Sequence, residues 1–364
     1  MYRILRVSSH PTIKKHGVGL HPFKISNSDE FETIYISPFP ELGDNYIENT
    51  KHKLKISKVR FFKRPINTSN KKLIIFHLKR IYKIFIFSFF AIRQANINKV
   101  DIIHIHSPMY LLVALWGKIT GKLTCITYHG TDYVTIKDNK AYQVASRYFL
   151  DIGFCISPHM VEKMKSNHKT VKYVPNGIDT NFFFNQKKKR KKILLAVGSL
   201  KKEKSYNNLI KAFKKSCKKN KHYELHIAGE GHLRSELELI VEEEGLKDKV
   251  RFCGNLDLKE LINKYNSAEC FILSSYTEGF PKVVLEAVFC GCKVVATDVG
   301  SVKTFLPEEY VIPNNSVANL HFYIEKIIKE DNFLVNEEEL KSRYTWLNII
   351  KSYREEYENH IRRS

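Results

Sequence analysis

The chain passes from an apolar strand into a helix within the stretch Cys270-Phe-Ile-Leu-Ser-Ser-Tyr-Thr-Glu-Gly-Phe-Pro-Lys-Val-Val-Leu-Glu-Ala-Val-Phe289. The short run Cys270–Leu273 predicts a buried strand, and Lys282–Phe289 has the pattern of a helix. Gly279 lets the backbone approach a ligand closely, and Pro281 is tolerated in a first helical turn. Free N–H groups at such a helix start favour a phosphate or a sugar hydroxyl. The junction therefore predicts an α/β sheet with a ligand at the carboxyl end of a strand.

Two carboxylates mark this junction, Glu278 at the mouth of the helix and Glu286 eight residues further on. That spacing is slightly more than two helical turns, so we expect both on one side. Carboxylates accept hydrogen bonds from vicinal sugar hydroxyls in pairs. The alternative is a solvated surface glutamate at each position. Glu286 interrupts an apolar helix, where a charge is costly without a partner, and this favours a binding role.

Outward from the junction, short β-branched runs alternate with helical patterns along the whole chain, as in parallel α/β sheets. A length of 364 residues suits two domains. We predict two Rossmann-like, doubly wound units that face one inter-domain cleft. The predicted boundaries are 1–175 for an N-terminal acceptor domain, 176–192 for a hinge, 193–343 for a nucleotide-sugar-binding domain, and 344–364 for a helix that crosses back to the first domain.

The formal charge of +22 requires a negatively charged partner, and it is concentrated in the first half of the chain. Residues 1–180 contain 28 Lys and Arg against 12 Asp and Glu, and residues 51–99 contain 14 basic residues and no acidic one. Nucleic acid, anionic lipid and phosphorylated substrates are the candidate partners. No nucleic-acid-binding motif is present, which argues against nucleic acid.

Several features predict a cytoplasmic protein. The N-terminal apolar run is too short for a signal peptide, and Ile81–Ile92 falls short of the ~20 residues that span a bilayer. Seven irregularly spaced cysteines indicate reduced thiols. Cys290 and Cys292 lack further ligands at metal-binding spacing, and His104 and His106, which alternate along one strand, are better explained by the border of a cleft than by a metal pair.

The Glu278–Glu286 segment resembles the glutamate–seven residues–glutamate motif of glycosyltransferase family 4, retaining enzymes with the GT-B fold. Further stretches resemble other parts of that family in the same order. They are His16-Gly-Val-Gly-Leu-His21 (glycine-rich loop), Asp101–Ser107 and Thr127–Thr131 (two histidine-bearing strand ends), Val174–Asp179 (hinge), Val197–Lys204 (phosphate loop), Tyr223–Gly231 (the next strand and turn) and Val250–Gly254 (the strand beside the nucleoside pocket).

The resemblance implies roles for individual residues. Lys204 would neutralise the donor diphosphate, and Glu286 would hold the ribose hydroxyls. Glu278 would hold the transferred sugar together with backbone N–H groups after it, and His129 would lie over the sugar on the acceptor side. The catalytic residues would thus be His129 and Glu278, and the donor-binding residues Gly17, Ser199, Lys204, Gly279, Phe280 and Glu286, with no metal and no cofactor.

Three positions depart from the family pattern. Ser199 replaces an arginine of the phosphate loop, His16 replaces the first glycine of the glycine-rich loop, and Lys303-Thr304 stand where the family commonly has a glutamate. These departures leave open a non-catalytic protein that binds sugar nucleotides. A transferase with a soluble acceptor, such as a sucrose- or trehalose-type synthase, is a further alternative, and the basic, aromatic first half argues against it.

The acceptor is predicted from the basic first half. Lys71–Ile97 alternates Lys and Arg with Ile, Phe and Tyr, as amphipathic helices do, and its aromatic content exceeds what one core stripe needs. Part of this helix must pack in the core before the next strand. With the basic 51–99 region it favours an anionic membrane surface. We therefore predict a retaining, metal-independent transferase on the inner face of the plasma membrane, which moves a hexose or N-acetylhexosamine from a UDP-sugar to a lipid-linked oligosaccharide or growing surface polysaccharide (O-antigen, capsule or exopolysaccharide).

Overall fold

The computed structural model describes residues 1–8, 20–26, 28–37, 53–56, 70–130, 136 and 139–362. The chain divides into two compact units. Unit 1 comprises residues 1–176 together with 346–364, and unit 2 comprises residues 177–345. The C-terminal helix thus belongs to the first unit, and the hinge-like segment after Asn176 opens the second.

Each unit is built on one parallel sheet whose central strands are buried on both faces. Short runs rich in Ile, Val and Leu form these strands, because helices on both sides exclude water from them. The strands are β1 Arg3–Val7, β2 Glu32–Ser37, β3 Lys53–Ile56, β4 Ile102–Ile105, β5 Leu123–Tyr128, β6 Ile152–Cys155, β7 Thr170–Tyr173, β8 Lys191–Val197, β9 Glu224–Ala228, β10 Val250–Gly254, β11 Ala268–Leu273, β12 Lys293–Thr297 and β13 Val311–Ile312.

The strand order is the same doubly wound order in both sheets, and every pairing among the described strands is parallel. Unit 1 has the order β3-β2-β1-β4-β5-β6-β7, and unit 2 has β10-β9-β8-β11-β12-β13. In each sheet the winding reverses between two central strands, β1 and β4 in unit 1 and β8 and β11 in unit 2. Ligands of such sheets bind at the carboxyl ends of those two strands.

Several helices begin directly after a polar residue whose side chain accepts a hydrogen bond from the first turn. Asp257 accepts from the backbone N–H of Glu260, whose side chain in turn accepts from that of Asp257, a reciprocal capping box. Ser157 caps a helix that has Pro158 in its first turn. The helices are α1 Leu20–Ser26, α2 Asn70–Ile97, α3 Leu111–Ile119, α4 Lys140–Phe149, α5 Pro158–Met164, α6 Tyr206–Cys217, α7 Arg234–Glu243, α8 Leu258–Ser267, α9 Lys282–Phe289, α10 Val317–Lys329, α11 Glu337–Tyr344 and α12 Trp346–Ile361.

The C-terminal helix α12 is part of the core of unit 1. Its residues Ile349, Tyr353 and Tyr357 are fully buried and join the hydrophobic cluster that includes Ile4 of β1 and Phe154 of β6. Burial of three such side chains contributes on the order of 5 kcal/mol in transfer free energy. The helix is therefore an integral element of the first unit.

Two elements differ from the sequence prediction. The edge strand β3 lies inside the basic region and pairs with β2, from Ile34 opposite Lys53 to Ser37 opposite Ile56. Lysines occupy alternate positions of this strand, a common feature of sheet edges, and the local charge had masked its β pattern. The other difference is that β8 begins at Lys191, inside the basic run predicted as a hinge, because these exposed lysines extend the apolar strand that follows.

Candidate functional site

Apart from Glu286 in α9, the predicted donor residues of unit 2 lie in two segments that follow strands at the switch point of its sheet. One loop follows β8 and leads through Ser199 and Lys204 to α6, and the other follows β11 and leads through Glu278 to α9. Because β8 and β11 are neighbouring parallel strands, their carboxyl ends meet at one edge of the sheet. The fold therefore brings together two loops that are far apart in sequence.

An ion pair joins the two loops. The Nζ atom of Lys204 donates to the Oε1 atom of Glu278, and the Oγ atom of Ser275 donates to the same oxygen at 2.9 Å. The side chains of Lys204 and Glu278 are 19% and 17% exposed, so each meets solvent on one side only. This places a cation and a hydrogen-bonding carboxylate side by side at the sheet edge.

Hydrogen bonds to backbone carbonyl oxygens hold the two loops together. The hydroxyl of Ser274 donates to the carbonyl oxygen of Lys204 at 2.8 Å, and the N–H of Tyr276 donates to the carbonyl oxygen of Glu203 at 2.7 Å. The hydroxyl of Tyr206 closes the first loop by donating to the carbonyl oxygen of Gly198 at 3.2 Å. The pair thus rests on a fixed framework, which a preorganised binding site needs.

Glycines allow neighbouring turns to approach this framework closely. Gly229 has a φ of +139°, and a Cβ atom on it would lie 2.0 Å from the carbonyl oxygen of Gly198. Gly300 has a φ of +58°, and a Cβ atom there would lie 2.5 Å from the carbonyl oxygen of Gly279 and 2.7 Å from that of Glu278. The loop after β12 is therefore packed directly on the backbone that carries Glu278.

Glu286 is buried in α9, as its apolar surroundings predicted. Its Oε2 atom accepts a hydrogen bond from the hydroxyl of Tyr265 at 3.0 Å. Burial raises the pKa of the Glu286 carboxyl above its ordinary value, while nearby Lys282 and the Tyr265 hydroxyl oppose that rise. A carboxyl that is 8% exposed and only partly compensated is typical of a functional position.

Phe280 and Ser199 lie at different depths in unit 2. The ring of Phe280 is buried and packs edge-on against Phe305 at a centroid distance of 4.9 Å, with Tyr344 at 5.9 Å. The side chain of Phe280 thus belongs to the core, and its backbone N–H is the group that remains suited to a ligand. Ser199 is half-buried, and its carbonyl oxygen accepts from the N–H of Lys201 at 2.8 Å.

The hydroxyl of Thr304, which departs from the family pattern, forms hydrogen bonds on both sides. The hydroxyl of Tyr344 donates to the Oγ1 atom of Thr304 at 2.9 Å, and that atom donates to the carbonyl oxygen of Ser301 at 2.7 Å. The adjacent Lys303 forms an ion pair with Asp298 at 2.7 Å. A neutral hydroxyl network therefore occupies the place where family 4 enzymes commonly have a glutamate.

In unit 1 the structure brings four histidines together at the corresponding switch point. His106 follows β4 and His129 follows β5, and their rings lie 6.0 Å apart. The ring of His21 meets that of His129 at 5.4 Å, and His104 stacks on His106 at 4.4 Å. All four are buried. The predicted catalytic His129 is therefore one member of a packed histidine cluster.

Arg6 is the residue of this cluster that sequence reasoning missed. It is fully buried in β1, and its Nη1 atom lies 3.0 Å from the Nδ1 atom of His104 and donates to the hydroxyl of Tyr357 at 3.4 Å. Burial and the nearby Arg6 charge lower the pKa of His104 and His106 well below the ordinary value, so both rings are neutral near pH 7. An arginine within the apolar strand Ile-Leu-Arg-Val was the available signal.

The remaining predictions concern metals and the glycine-rich loop. Gly17 and His16 lie outside the described residues. Across the ranges that the structure does describe, no group of three or more His, Cys, Asp or Glu side chains is arranged to hold a metal ion. All seven cysteines are free thiols. His226 is buried in β9 and is bonded to Glu224 at 2.9 Å, as expected of a core histidine.

Two family models match the chain, and they follow each other along it. The model described as glycosyl transferases group 1 matches residues 177–343, and the model described as Glycosyltransferase Family 4 matches residues 57–182. The first match covers nearly all of unit 2, including both loops of the candidate site. The second covers much of unit 1, including the histidine-bearing strand ends.

Curated relatives carry glycosyltransferase names. A human phosphatidylinositol N-acetylglucosaminyltransferase subunit is 29% identical over 72% of this chain and 58% of its own length, and the gpi3 subunit of Schizosaccharomyces pombe is 24% identical over 75% and 64%. The chain therefore spans about three fifths of these two relatives. An uncharacterized glycosyltransferase of Methanocaldococcus jannaschii is 27% identical over 70% of this chain and 74% of its own length.

Solved structures of glycosyltransferases share the fold. A sucrose-phosphate synthase from Thermosynechococcus elongatus aligns over 100% of both chains with a TM-score of 0.78 and 18% identity. The Anabaena protein HepE, solved in complex with UDP and glucose, aligns over 98% of this chain and 100% of its own with a TM-score of 0.74 and 15% identity. Together with the matched family models, this likeness identifies the chain as a family 4-like glycosyltransferase of the GT-B type.

Proposed function

We propose that the chain transfers a sugar from a nucleotide-sugar donor, a UDP-sugar, to a lipid-borne acceptor with retention of configuration. In this reaction the bond between the sugar C1 and the diphosphate oxygen breaks, and a bond from C1 to an acceptor hydroxyl oxygen forms. The nucleoside diphosphate and the hydroxyl proton leave. The observation that carries the proposal is the Lys204–Glu278 pair at the switch point of unit 2, followed by the buried Glu286.

The donor roles follow from the chemistry of these groups. Lys204 provides the positive charge that a departing diphosphate requires, and such preorganised charge acts most strongly as negative charge develops in the transition state. Glu278, fixed by Ser275, is suited to accept hydrogen bonds from sugar hydroxyls, together with the backbone N–H groups of Gly279 and Phe280. Glu286 is suited to the ribose hydroxyls, which would offset the burial of its carboxylate.

The donor proposal also has support from neighbours. HepE is described with UDP and glucose, with UDP and with UDP-glucose. The human and fission-yeast relatives are named for N-acetylglucosamine. We therefore propose a UDP-hexose or UDP-N-acetylhexosamine as the donor, with no metal ion or further cofactor, and His129 on the acceptor side.

The proposed acceptor rests on the names of two relatives and on the positive charge of residues 51–99. Those names specify phosphatidylinositol, a lipid with an anionic head group. Residues 51–99 carry 14 basic and no acidic residues, which suits an acceptor held at an anionic surface. A lipid-linked oligosaccharide of a surface polysaccharide (O-antigen, capsule or exopolysaccharide) has the same chemistry. We propose that the enzyme works at the inner face of the plasma membrane.

A donor and acceptor panel tests this function. Purified full-length protein is incubated with UDP-N-acetylglucosamine, UDP-glucose or a GDP-sugar and with vesicles containing phosphatidylinositol or a lipid-linked oligosaccharide. UDP release and the labelled lipid product are measured, and the anomeric configuration of the product is determined by NMR. We expect transfer from a UDP-sugar with retained configuration. Lys204→Ala and Glu286→Ala should each abolish most of it.

Matched variants provide the control. Glu243→Ala, on the exposed face of α7, and Lys202→Ala, at an exposed position beside Lys204, should leave transfer unchanged. Transfer that survived Lys204→Ala and Glu286→Ala at the same rate would reject the donor site. Nucleotide binding without transfer to any acceptor would instead indicate a non-catalytic sugar-nucleotide-binding protein.

A further inference from the structure

Arg6 is a buried cation in the core of unit 1. Its side chain is fully buried, and its guanidinium carbon lies 5.5 Å and 5.9 Å from the ring centroids of Phe31 and Tyr353. Its Nε and Nη2 atoms have no hydrogen-bond partner among the described residues, so Nη1 makes the hydrogen bonds of this side chain. A buried charge supported by rings and neutral polar groups costs folding free energy, and such a cost is typical of a functional position.

The guanidinium of Arg6 fixes the position of the proton on His104. Arginine donates hydrogen bonds and cannot accept them, so the Nδ1 atom of His104, 3.0 Å from Nη1, accepts. The hydroxyl of Tyr357 accepts from Nη1 at 3.4 Å and donates to the same Nδ1 atom at 2.5 Å. Burial and the Arg6 charge lower the pKa of His104, so its ring is neutral near pH 7. Its single N–H is therefore on Nε2.

From His104 a chain of hydrogen bonds continues in one direction through the core. The Nε2 atom of His104 donates to the Oγ1 atom of Thr127 at 2.8 Å. A hydroxyl has one hydrogen, so Thr127 then donates to the hydroxyl of Tyr353 at 3.0 Å, and Tyr353 donates to the Nε2 atom of His21 at 3.1 Å. His21 accordingly carries its own hydrogen on Nδ1. We refer to these four buried side chains as the His104–His21 chain.

Two neighbours of the His129 ring depend on His104. The ring of His21, at the end of the chain, meets that of His129 edge-on, with centroids 5.4 Å apart and an angle of 76° between the planes. The ring of His106 stacks on His104 at 4.4 Å and lies 6.0 Å from His129 with an angle of 26°. His129 is therefore packed between two rings whose orientation is set through His104, and the orientation of His104 is set by Arg6.

We propose that Arg6 is a positioning residue of the transferase, which imposes one direction on the His104–His21 chain and thereby holds the ring of His129 in the orientation that acceptor-side chemistry needs. Positioning of this kind acts on the rate because a reacting group must be held close to its productive geometry. The proposal rests on the function proposed above, since it assigns His129 to the acceptor side. It adds a buried residue that does not itself contact the reacting groups.

A purely structural network is the alternative, because the same hydrogen bonds join α12 to the sheet of unit 1. Such a network holds equally well with its hydroxyls donating in either direction. The two explanations therefore differ in two observables, the tautomer of His21 and the effect of Arg6 on kcat.

NMR spectroscopy of the full-length protein tests the direction of the chain. Nitrogen–hydrogen correlation spectra of isotope-labelled histidine distinguish the two ring tautomers, and His21→Gln assigns the signals of that residue. We expect one tautomer of His21 in the wild type, with the hydrogen on Nδ1. Arg6→Met removes the obligatory donor, so both directions become possible and a second tautomer should appear. Arg6→Lys retains a group that only donates and should preserve the single tautomer.

Kinetics test the positioning role. Arg6→Met and Tyr353→Phe should each lower kcat roughly ten- to a hundredfold and leave the KM for the UDP-sugar nearly unchanged, because the donor residues of unit 2 are intact. Arg6→Lys should restore most of the rate. Tyr110→Phe is the matched control, since it also removes one buried hydroxyl of unit 1, and that hydroxyl has no hydrogen-bond partner in the described part of the chain. It should change neither constant.

Two results would overturn the proposal. One is a His21 ring that carries its hydrogen on Nε2 in the wild type, or whose spectrum is the same in Arg6→Met. The other is a kcat that Arg6→Met leaves unchanged or that Tyr110→Phe lowers equally. Circular dichroism verifies that each variant is folded. A wild-type protein without transfer activity would reject the proposed function, and the spectra would still decide whether Arg6 sets the direction of the chain.

Discussion

The Nζ atom of Lys204 and the Oε1 atom of Glu278 form an ion pair across 74 positions of sequence. The pair joins the loop after β8 to the loop after β11, and Ser275 supports it through a hydrogen bond of 2.9 Å to the same carboxylate oxygen. Both side chains are less exposed than 20%, so solvent screens their attraction only in part. The two residues assigned to the diphosphate and to the transferred sugar are therefore positioned by one another.

Replacement of Lys204 by alanine should weaken UDP binding roughly ten- to a hundredfold, since a charge-assisted hydrogen bond contributes about 1.5–3 kcal/mol. Isothermal titration calorimetry with UDP measures the effect. Lys202→Ala, which removes an exposed lysine of the same turn, should leave the Kd nearly unchanged. Equal losses in the two variants would indicate a diffuse electrostatic effect and would remove the specific role of Lys204.

Replacement of Gly300 by alanine should disturb the donor site through the backbone. The new Cβ atom would lie 2.5 Å from the carbonyl oxygen of Gly279, so the loop that carries Glu278 must shift. Displacement of a positioned group by about 1 Å can reduce the rate roughly a hundredfold. We expect a large fall in kcat/KM, measured by UDP release.

Gly245 offers the matched control for backbone strain. Its φ is +65°, close to that of Gly300, and the nearest atom to an added Cβ is the Nζ of Lys214 at 3.6 Å. Gly245→Ala should lower the Tm through its positive φ, as Gly300→Ala should, yet leave kcat/KM unchanged. A similar kinetic loss in both variants would attribute the effect to general destabilisation.

Replacement of Ser205 by glycine should stabilise the protein. Ser205 has a φ of +53° and a ψ of +37°, a left-handed conformation that costs about 1 kcal/mol for a residue with a Cβ atom. Its buried hydroxyl lacks a hydrogen-bond partner within the described part of the chain, so removal loses none. We expect the apparent Tm to rise by about 2–4 °C in a scanning calorimeter. Ser205→Ala keeps the strain and should give a smaller rise, and equal rises would show that the hydroxyl rather than the backbone is responsible.

Local signals were sufficient to predict the junction on which the site depends. The helix predicted over Lys282–Phe289 has those bounds in the structure. The signals for it are local in sequence, because an apolar strand ends and a glycine and a proline precede the first helical residue. The repeated alternation of strands and helices likewise predicted two doubly wound units. These predictions needed only periodicity and turn chemistry.

Long-range pairing explains what could not be predicted. Arg6 contacts His104 and Tyr357, which lie 98 and 351 positions away, and nothing in the local pattern specifies those partners. The same holds for Thr304, whose hydroxyl partner Tyr344 lies 40 positions further along. The ring of Phe280 packs against Phe305 and Tyr344, which are distant in sequence and which no local pattern specifies.

The stability conferred by Glu286 should depend on pH in a defined direction. Because burial raises its folded pKa above the ordinary 4.5, the native state holds a proton more tightly than the unfolded chain does. The free energy of unfolding of the wild type, compared with that of Glu286→Gln, should therefore increase as the pH falls toward 4.5. It should decrease as the pH rises through the folded pKa of Glu286. Apparent Tm values of both proteins across this range measure the difference. Glu243→Gln, exposed on α7, should run parallel to the wild type.

The histidine cluster of unit 1 should make the fold sensitive to acid. Burial and the nearby Arg6 charge lower the pKa of His106 well below the ordinary 6.5. Just below pH 6.5 its ring is therefore protonated in the unfolded chain but neutral in the native state. Stability should thus fall below pH 6.5 by about 1.4 kcal/mol per pH unit for this residue. Both ring nitrogens of His106 lack hydrogen-bond partners among the described residues, so His106→Leu loses none.

The His106→Leu variant should therefore lose less stability than the wild type when the pH is lowered from 6.5 to about one unit below it. Denaturant unfolding of the full chain at several pH values measures the slope, and His159→Leu, at an exposed position of α5, serves as the control. The slope should decrease only in the His106 variant, because only there is a buried neutral ring removed. Identical slopes in all three proteins would mean that native His106 takes up a proton as readily as the unfolded chain, and the neutral cluster around Arg6 would then be refuted.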